Sequence, residues 1–216
     1  MRVHLPVLLA LSANSPFWRA APTGLQSTRM PIFRAFPRVG VPPAWESWES
    51  YAEQIDFMTR TGVMEDYTFL WYDVRPHPNL GTVEVRVCDS QTRLEHTIGL
   101  AALIQAMARE LCVHFDEGRE LSHYPYQMLD ENKWLAARHG LDAPLVDLPT
   151  ADRVSARDLA ERLLDRLADH ARDLGAADEL DGARDLLRAG TGAMRQTKVY
   201  EANHDLREVM KEIVAA

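Results

Sequence analysis

Apolar side chains recur at three- and four-residue spacing in six stretches of the chain, and this pattern predicts helices. The predicted helices cover residues 3–13, 47–62, 96–115, 155–175, 179–188 and 205–214. Ser155 and Asp158 resemble a capping box at the start of the fourth helix, and Gly62 and Gly175 can end the second and the fourth. Residues 96–115 are apolar around most of the helix circumference, so we expect this helix to be buried behind a sheet.

The predicted helix over residues 47–62 has its apolar side chains on one face. We expect that face to pack inward, because it would otherwise expose aromatic and aliphatic groups to water. The stretch before it, residues 16–46, holds many of the prolines and is expected to form loops. The side chains on the inward face are Trp48, Tyr51, Ile55 and Met58.

Two strand-like stretches, residues 68–75 and 82–89, flank the turn-forming run Pro-His-Pro-Asn-Leu-Gly and predict an antiparallel hairpin. Because strand side chains alternate between faces, side chains two residues apart lie on one face, about 6.6 Å apart along the strand. The hairpin therefore brings four charged groups to one patch of sheet. They are Asp73 and Arg75 on the first strand and Glu84 and Arg86 on the second.

This patch has two interpretations. A carboxylate can bind Mg²⁺ and a guanidinium can bind a phosphoryl group through two hydrogen bonds, so the patch suits nucleotide chemistry. Cross-strand ion pairs on a solvated face have the same pattern, and the residues alone favour that structural interpretation.

Two other polar sites are candidates for ligand contacts. Asn14 and Ser15, just before Pro16, can either bind a ligand or cap the end of the first predicted helix, and capping is the more common role. Arg195, which follows a Gly-Thr-Gly run, can approach a phosphate from a loop or remain a solvated basic residue.

Composition narrows the class of protein. The net charge of −8 argues against a nucleic-acid partner, because phosphate-backbone affinity depends on accumulated Lys and Arg. The two cysteines, Cys88 and Cys112, lie far apart and suggest reduced thiols in the cytoplasm. The longest apolar run, residues 5–11, is too short to span a membrane, so we expect no membrane partner. P-loop, Rossmann, hydrolase-elbow and zincin motifs do not occur in the sequence.

Five runs of residues resemble the carboxylate-amine ligase, or glutamate-cysteine ligase type 2, family. The resemblance covers nearly the whole chain and implies an α+β, glutamine-synthetase-like catalytic fold, with an antiparallel sheet forming a funnel and helices outside it. In such a family Mg²⁺-ATP phosphorylates the γ-carboxylate of glutamate, and an amine then attacks the acyl phosphate. The runs are LPVLLALSANSPFW from Leu5, WYDVRP from Trp71, GTVEVRV from Gly81, ENKW from Glu131 and ARHGLD from Ala137.

The resemblance also implies roles for individual residues. Glu84 would be a Mg²⁺ ligand, and Arg86 would contact phosphate or the acyl-phosphate intermediate. Arg75 would help to anchor the substrate carboxylate or the nucleotide. Asn14 and Ser15 would shape the pocket. The residues themselves, apart from the resemblance, make Arg195 a candidate cofactor contact. The implied partners are small molecules: ATP, glutamate or a similar carboxylate, and an amino-acid amine.

Family members carry a further N-terminal region, with a glutamate-rich strand and a histidine-containing strand that supply more metal and nucleotide contacts. Residues 1–216 are therefore expected to be a single domain that forms the C-terminal portion of a ligase catalytic domain and is incomplete alone. The remainder would come from a separate N-terminal half, from sequence upstream, or from a neighbouring subunit of a homo-oligomer. The alternative is a non-catalytic binding or regulatory relative that retains part of the fold.

Overall fold

The structure is a computed structural model that describes residues 1–215. Within them the helices are α1 Leu5–Ser12, α2 Arg29–Phe33, α3 Trp48–Arg60, α4 Leu94–Asp116, α5 Tyr126–His139, α6 Ala156–Asp173, α7 Ala177–Ala189, α8 Gly192–Asn203 and α9 Leu206–Ala215. The strands are β1 Phe17–Trp18, β2 Ala21–Pro22, β3 Val39–Gly40, β4 Trp71–Tyr72, β5 Val74–His77, β6 Thr82–Val85, β7 Pro144–Asp147 and β8 Asp152–Ser155.

The predicted α+β class is confirmed, but the strands of the described residues do not form one sheet. They form four separate two-stranded sheets, of which β3–β4 is parallel and the other three are antiparallel. Helices carry most of the apolar core.

Helix α1 lies at the centre of the core. Every one of its residues is buried, and it packs against α5 and α6. It ends before Pro16, as predicted, because Ala13 has an extended backbone with ψ of 119°. The buried helix predicted at the start of the chain is thus confirmed.

Helix α4 is only partly buried, since eight of its 23 residues are buried and Ile98 is 40% exposed. The prediction that it lies behind a sheet was wrong. Its main partners are α6 and α7 rather than a sheet. Gly99 of α4 and Gly182 of α7 let the two backbones meet, since a Cβ at Gly99 would lie 2.2 Å from the Ala183 nitrogen. The buried side of α4 is therefore covered by helices.

By length and composition α4 could also cross a bilayer, and it is the only helix in residues 1–215 that meets both criteria. No membrane-spanning helix was expected from the sequence. A core helix of a water-soluble fold satisfies the same criteria, and eight residues of α4 are buried against the rest of the chain, among them Leu103 and Met107.

The predictions for the other helices were partly correct. Ser47 caps α3, but on the face expected to be inward only Tyr51 is buried, and Trp48 is 54% exposed. The Ser155 hydroxyl accepts a hydrogen bond from the Asp158 N–H at 3.0 Å, as the capping pattern predicted for α6. Helices α7 and α9 also match their predictions, whereas α2, α5, α8 and the β7–β8 hairpin were not predicted.

Candidate functional site

The predicted hairpin is present as β5 and β6, although it is shorter than expected. Arg75 pairs with Glu84 in its register, and Gly81 closes the turn with a left-handed φ of 61°. The stretch expected to be one long first strand is divided. Residues Tyr67–Phe69 form a 3₁₀ turn, and β4 pairs with β3 instead. The Asp66 carboxylate starts that turn by accepting the Thr68 N–H at 2.7 Å.

Glu84 is held between two arginines on one face of the hairpin. Its Oε2 lies 2.6 Å from the Arg75 Nε, and its Oε1 lies 2.5 Å from the Arg86 Nη1. Burial acts to raise the pKa of the Glu84 carboxyl, but the hydrogen bonds from Arg75 and Arg86 outweigh it and the pKa lies below its usual value. Glu84 is therefore ionised at neutral pH.

The two arginines have different surroundings. The Arg75 side chain is 7% exposed, and its Nη1 donates to the backbone carbonyls of Tyr67, Thr68 and Leu70 at 2.6 to 3.2 Å. The Arg86 side chain is 28% exposed, and its buried Nε has no partner among the described residues. Arg75 is thus committed to holding the loop and Glu84, while Arg86 keeps donor capacity for a ligand.

Asp73 does not join this cluster, so the prediction of four converging charges was wrong for one of them. Its carboxylate instead binds Lys133 of α5, with 2.5 Å between Oδ2 and Nζ, and both side chains are buried. The reason is that the chain leaves β4 for β5 at Asp73, whose carbonyl accepts the Arg86 N–H at 2.7 Å.

Two residues that sequence analysis missed support Arg86. Two guanidiniums pack against the Phe33 ring, with the Arg86 Cζ 5.9 Å and the Arg29 Cζ 5.4 Å from its centroid. Arg29 also donates to the carbonyls of Arg86 at 2.8 Å and Val87 at 3.2 Å. Both supporting residues lie in α2, inside the stretch expected to be loop, and no periodic pattern marks so short a helix.

Asp89 connects Asn14 and Ser15 to this arrangement. Its buried carboxylate accepts hydrogen bonds from the Asn14 N–H at 2.9 Å, the Ser15 hydroxyl at 2.7 Å and the Ser27 hydroxyl at 3.0 Å. It also lies 3.9 Å from the Arg29 Nη1. The Asn14 and Ser15 contacts shown by the structure are thus with the protein itself, as expected of residues that end a helix.

The side chain of Asn14 ties α1 to α8. Its Nδ2 donates to the Ser90 carbonyl at 2.6 Å, and its Oδ1 accepts from the Gln196 Nε2 at 2.7 Å. Arg195 is not on a loop, as had been expected, but in the first turns of α8. There Thr191 caps the helix, the Arg195 Nη1 donates to the Gly190 carbonyl at 2.7 Å, and its Nε lies 3.8 Å from Glu212.

Metal ligands are scarce around the hairpin. No group of three or more His, Cys, Asp or Glu side chains within residues 1–215 is arranged to hold a metal ion. Glu84 is a single carboxylate whose two oxygens already face guanidiniums, so the described residues do not by themselves fit Mg²⁺. Burial raises the pKa of the nearby Cys88 thiol to about 11, so this thiol is not a nucleophile at neutral pH.

The site consists of an arginine-flanked carboxylate on a hairpin of an α+β chain, and comparison with known proteins gives the family of this chain. The model of the glutamate-cysteine ligase family 2 matches residues 1–215. The chain belongs to this family, as the resemblance in the sequence had indicated.

Similar curated proteins come from bacteria and an archaeon. "Putative glutamate--cysteine ligase 2-1" of Rubrobacter xylanophilus is 44% identical over 209 residues, which are 97% of this chain and 55% of that protein. A relative from Sorangium cellulosum is 40% identical over 99% of this chain and 57% of its own length. "Glutamate--cysteine ligase" of Natronomonas pharaonis is 40% identical over 94% of this chain and 53% of its own length. The chain thus spans about half the length of the curated relatives it matches.

Proposed function

We propose that this chain forms part of an ATP-dependent carboxylate-amine ligase that joins glutamate, or a similar carboxylate, to the amine of an amino acid. Family membership supports the reaction class. Because the chain spans about half of each relative, the activity is proposed for the complete ligase. The proposal includes a glutamine-synthetase-like catalytic fold, of which this α+β chain is the C-terminal portion.

The proposed reaction has two steps. An oxygen of the substrate carboxylate attacks the γ-phosphorus of ATP, which forms an acyl phosphate and releases ADP. The amine nitrogen then attacks the acyl carbon, phosphate leaves, and the nitrogen loses a proton to give the amide. Both steps build negative charge on phosphoryl or carbonyl oxygens, so the protein must supply fixed positive charge.

The observation that carries the proposal is Arg86, which contacts Glu84 and Phe33 and whose side chain is 28% exposed. A guanidinium held in this way is preorganised to bind phosphoryl oxygens. Arg29, whose Cζ lies 5.4 Å from the centroid of the same ring, adds a second positive charge. Arg75 is nearly buried, so we propose that it orients Glu84 rather than binding substrate directly.

The role of Glu84 as a magnesium ligand stays a prediction. The surrounding charge opposes it, because a divalent cation at Glu84 would also meet two guanidiniums. We therefore assign no step to the metal on these residues. We propose that further metal ligands belong to another part of the complete ligase. Assembly with that part, or with a second copy, and a cytoplasmic location also stay predictions.

The first test is calorimetric binding of a non-hydrolysable ATP analogue, with Mg²⁺, to the 216-residue chain. Loss of one charge-assisted contact weakens binding about tenfold or more, so we expect that effect for Arg86→Gln. Arg34→Gln is the matched control. Arg34 follows the same short helix, and its guanidinium pairs with Asp130 at 2.7 Å and not with Glu84. Equal loss in both variants, or in neither, would contradict the assignment of Arg86.

The second test is ADP release by the chain with Mg-ATP, glutamate and a panel of amines that includes cysteine. Amine-dependent release that Glu84→Gln abolishes would show that a complete site forms. Nucleotide binding without ADP release would support either a portion of a ligase site or the non-catalytic alternative. Adding the N-terminal half of a relative would separate these two, since only a ligase portion would regain turnover.

A further inference from the structure

A separate cavity of about 280 Å³ lies between the start of α1, strand β7 and helix α6. It shares no lining residue with the Glu84 cluster. Its walls are mostly aliphatic, which is typical of a binding site for a small apolar group. The aliphatic side chains that define it best are Val3, Val7, Leu145, Leu148, Leu159 and Leu163.

Charged side chains of both signs also line this cavity. Arg162 and Arg166 project from α6, and Asp147 ends β7, with 3.5 Å between the Asp147 Oδ2 and the Arg162 Nη1. The Arg162 and Arg166 side chains are 63% and 45% exposed, so their remaining N–H groups are accessible. The cavity thus combines aliphatic walls with two positively charged hydrogen-bond donors and one negatively charged acceptor.

Arg166 is held in place by two partners that are themselves fixed. Its Nη1 lies 3.1 Å from the buried Glu110 carboxylate of α4, and its Nη2 lies 3.1 Å from the His4 Nε2. A guanidinium can only donate, so the His4 Nε2 must accept. Burial, with Arg166 and the terminal amine beside it, lowers the pKa of His4 to about 3. His4 therefore adds no positive charge to the cavity.

We propose that this cavity binds a free α-amino acid with an apolar side chain, such as leucine. The carboxylate would bind Arg162 and Arg166, the ammonium group would bind Asp147, and the side chain would fill the aliphatic chamber. The charges around the cavity favour a zwitterion over a ligand that carries only a carboxylate. The positive charges of Arg162 and Arg166 are balanced by the negative charges of Asp147 and Glu110. This site is distinct from the proposed ligase site and does not depend on it.

The test is calorimetric titration of the chain with L-leucine, together with two analogues that each lack one charge. 4-Methylpentanoate keeps the carboxylate, and 3-methylbutylamine keeps the amine. We expect L-leucine to bind, each analogue to bind about tenfold more weakly, and L-glutamate not to bind. Methyl NMR signals of Leu145 and Leu163 should shift with L-leucine, which places the ligand in this cavity.

Arg162→Gln and Asp147→Asn should each weaken L-leucine binding about tenfold. These two variants are preferred because Arg166→Gln would leave the buried Glu110 carboxylate without its partner. Arg172→Gln is the control, since Arg172 lies on the same helix, is 70% exposed and pairs with Asp169. No binding at roughly 10 mM L-leucine, or binding of either analogue as tight as that of L-leucine, would overturn the proposal. Unchanged binding in Arg86→Gln would show that the two sites are independent.

Discussion

Lys133 of α5 and Asp73, between β4 and β5, form a buried ion pair in which the Lys133 Nζ lies 2.5 Å from the Asp73 Oδ2. The side chains are 4% and 9% exposed. The pair links a core helix to the start of the hairpin that carries Glu84 and Arg86. It also explains why Asp73 is absent from the charged cluster on that hairpin.

Removing one member of this pair should destabilise the fold strongly. Lys133→Met leaves the Asp73 carboxylate buried without its partner, so we expect the free energy of unfolding to fall by about 3 to 5 kcal/mol. Urea denaturation at pH 7 measures this. Lys211→Met is the matched control, because Lys211 is 73% exposed and pairs with Glu208 at the surface. For this control we expect the free energy of unfolding to change by less than about 1 kcal/mol. A similar decrease in the two variants would contradict the interpretation of Lys133 and Asp73 as a stabilising buried pair.

The sequence predicted what depends on local pattern. The hairpin with Arg75, Glu84 and Arg86 on one face follows from strand alternation and turn residues, and it is present. The partner of Asp73 could not be predicted, because Lys133 lies 60 residues away and its burial depends on tertiary packing. Arg29 and Phe33 were missed for a similar reason, since their importance arises only when α2 packs beside Arg86.

Helix α4 shows the same limit. Its apolar circumference predicted burial, but the sequence did not show that Gly99 would meet α7 instead of a sheet. Periodicity indicates that a face is buried and not what covers it.

Gly99→Ala should therefore be destabilising, although alanine normally favours a helix by about 1 kcal/mol relative to glycine. A Cβ at Gly99 would lie 2.2 Å from the Ala183 nitrogen and 2.4 Å from the Gly182 carbonyl carbon, so α4 and α7 would have to separate. We expect a loss of about 1 to 3 kcal/mol in the free energy of unfolding. Gln105→Ala, at an exposed position of the same helix, should change it little. A more stable Gly99→Ala variant would show that the helices do not cross this closely.

Asp89→Asn should loosen the support of Arg86. The Asp89 carboxylate accepts three hydrogen bonds, and an asparagine would place an NH₂ group opposite one of these donors. We expect the free energy of unfolding, measured by thermal or urea denaturation, to fall by about 1 to 3 kcal/mol. Asp169→Asn is the control, because that side chain is 83% exposed. Equal stability of wild type and Asp89→Asn would mean that Asp89 does not organise the Asn14, Ser15 and Ser27 contacts.

His4 should make the fold less stable in mild acid. Its pKa is lowered from 6.5 to about 3 by burial and by neighbouring positive charge, so below pH 6.5 the unfolded chain binds a proton that the folded chain does not. The contribution of His4 to stability is therefore fully present above pH 6.5 and falls as the pH decreases toward 3. Over the step from pH 7.5 to pH 5 this corresponds to about 2 kcal/mol.

The measurement is urea denaturation of wild type and His4→Leu at pH 7.5 and pH 5. The variant loses the hydrogen bond to Arg166, so its stability at pH 7.5 is expected to be lower, but the difference between the two pH values should shrink. His204→Asn is the matched control, because His204 is exposed at the C-terminal end of α8 with a left-handed φ of 49° that asparagine tolerates. It should keep the pH dependence of the wild type. If His4→Leu kept it as well, the loss of stability in mild acid would belong to other groups.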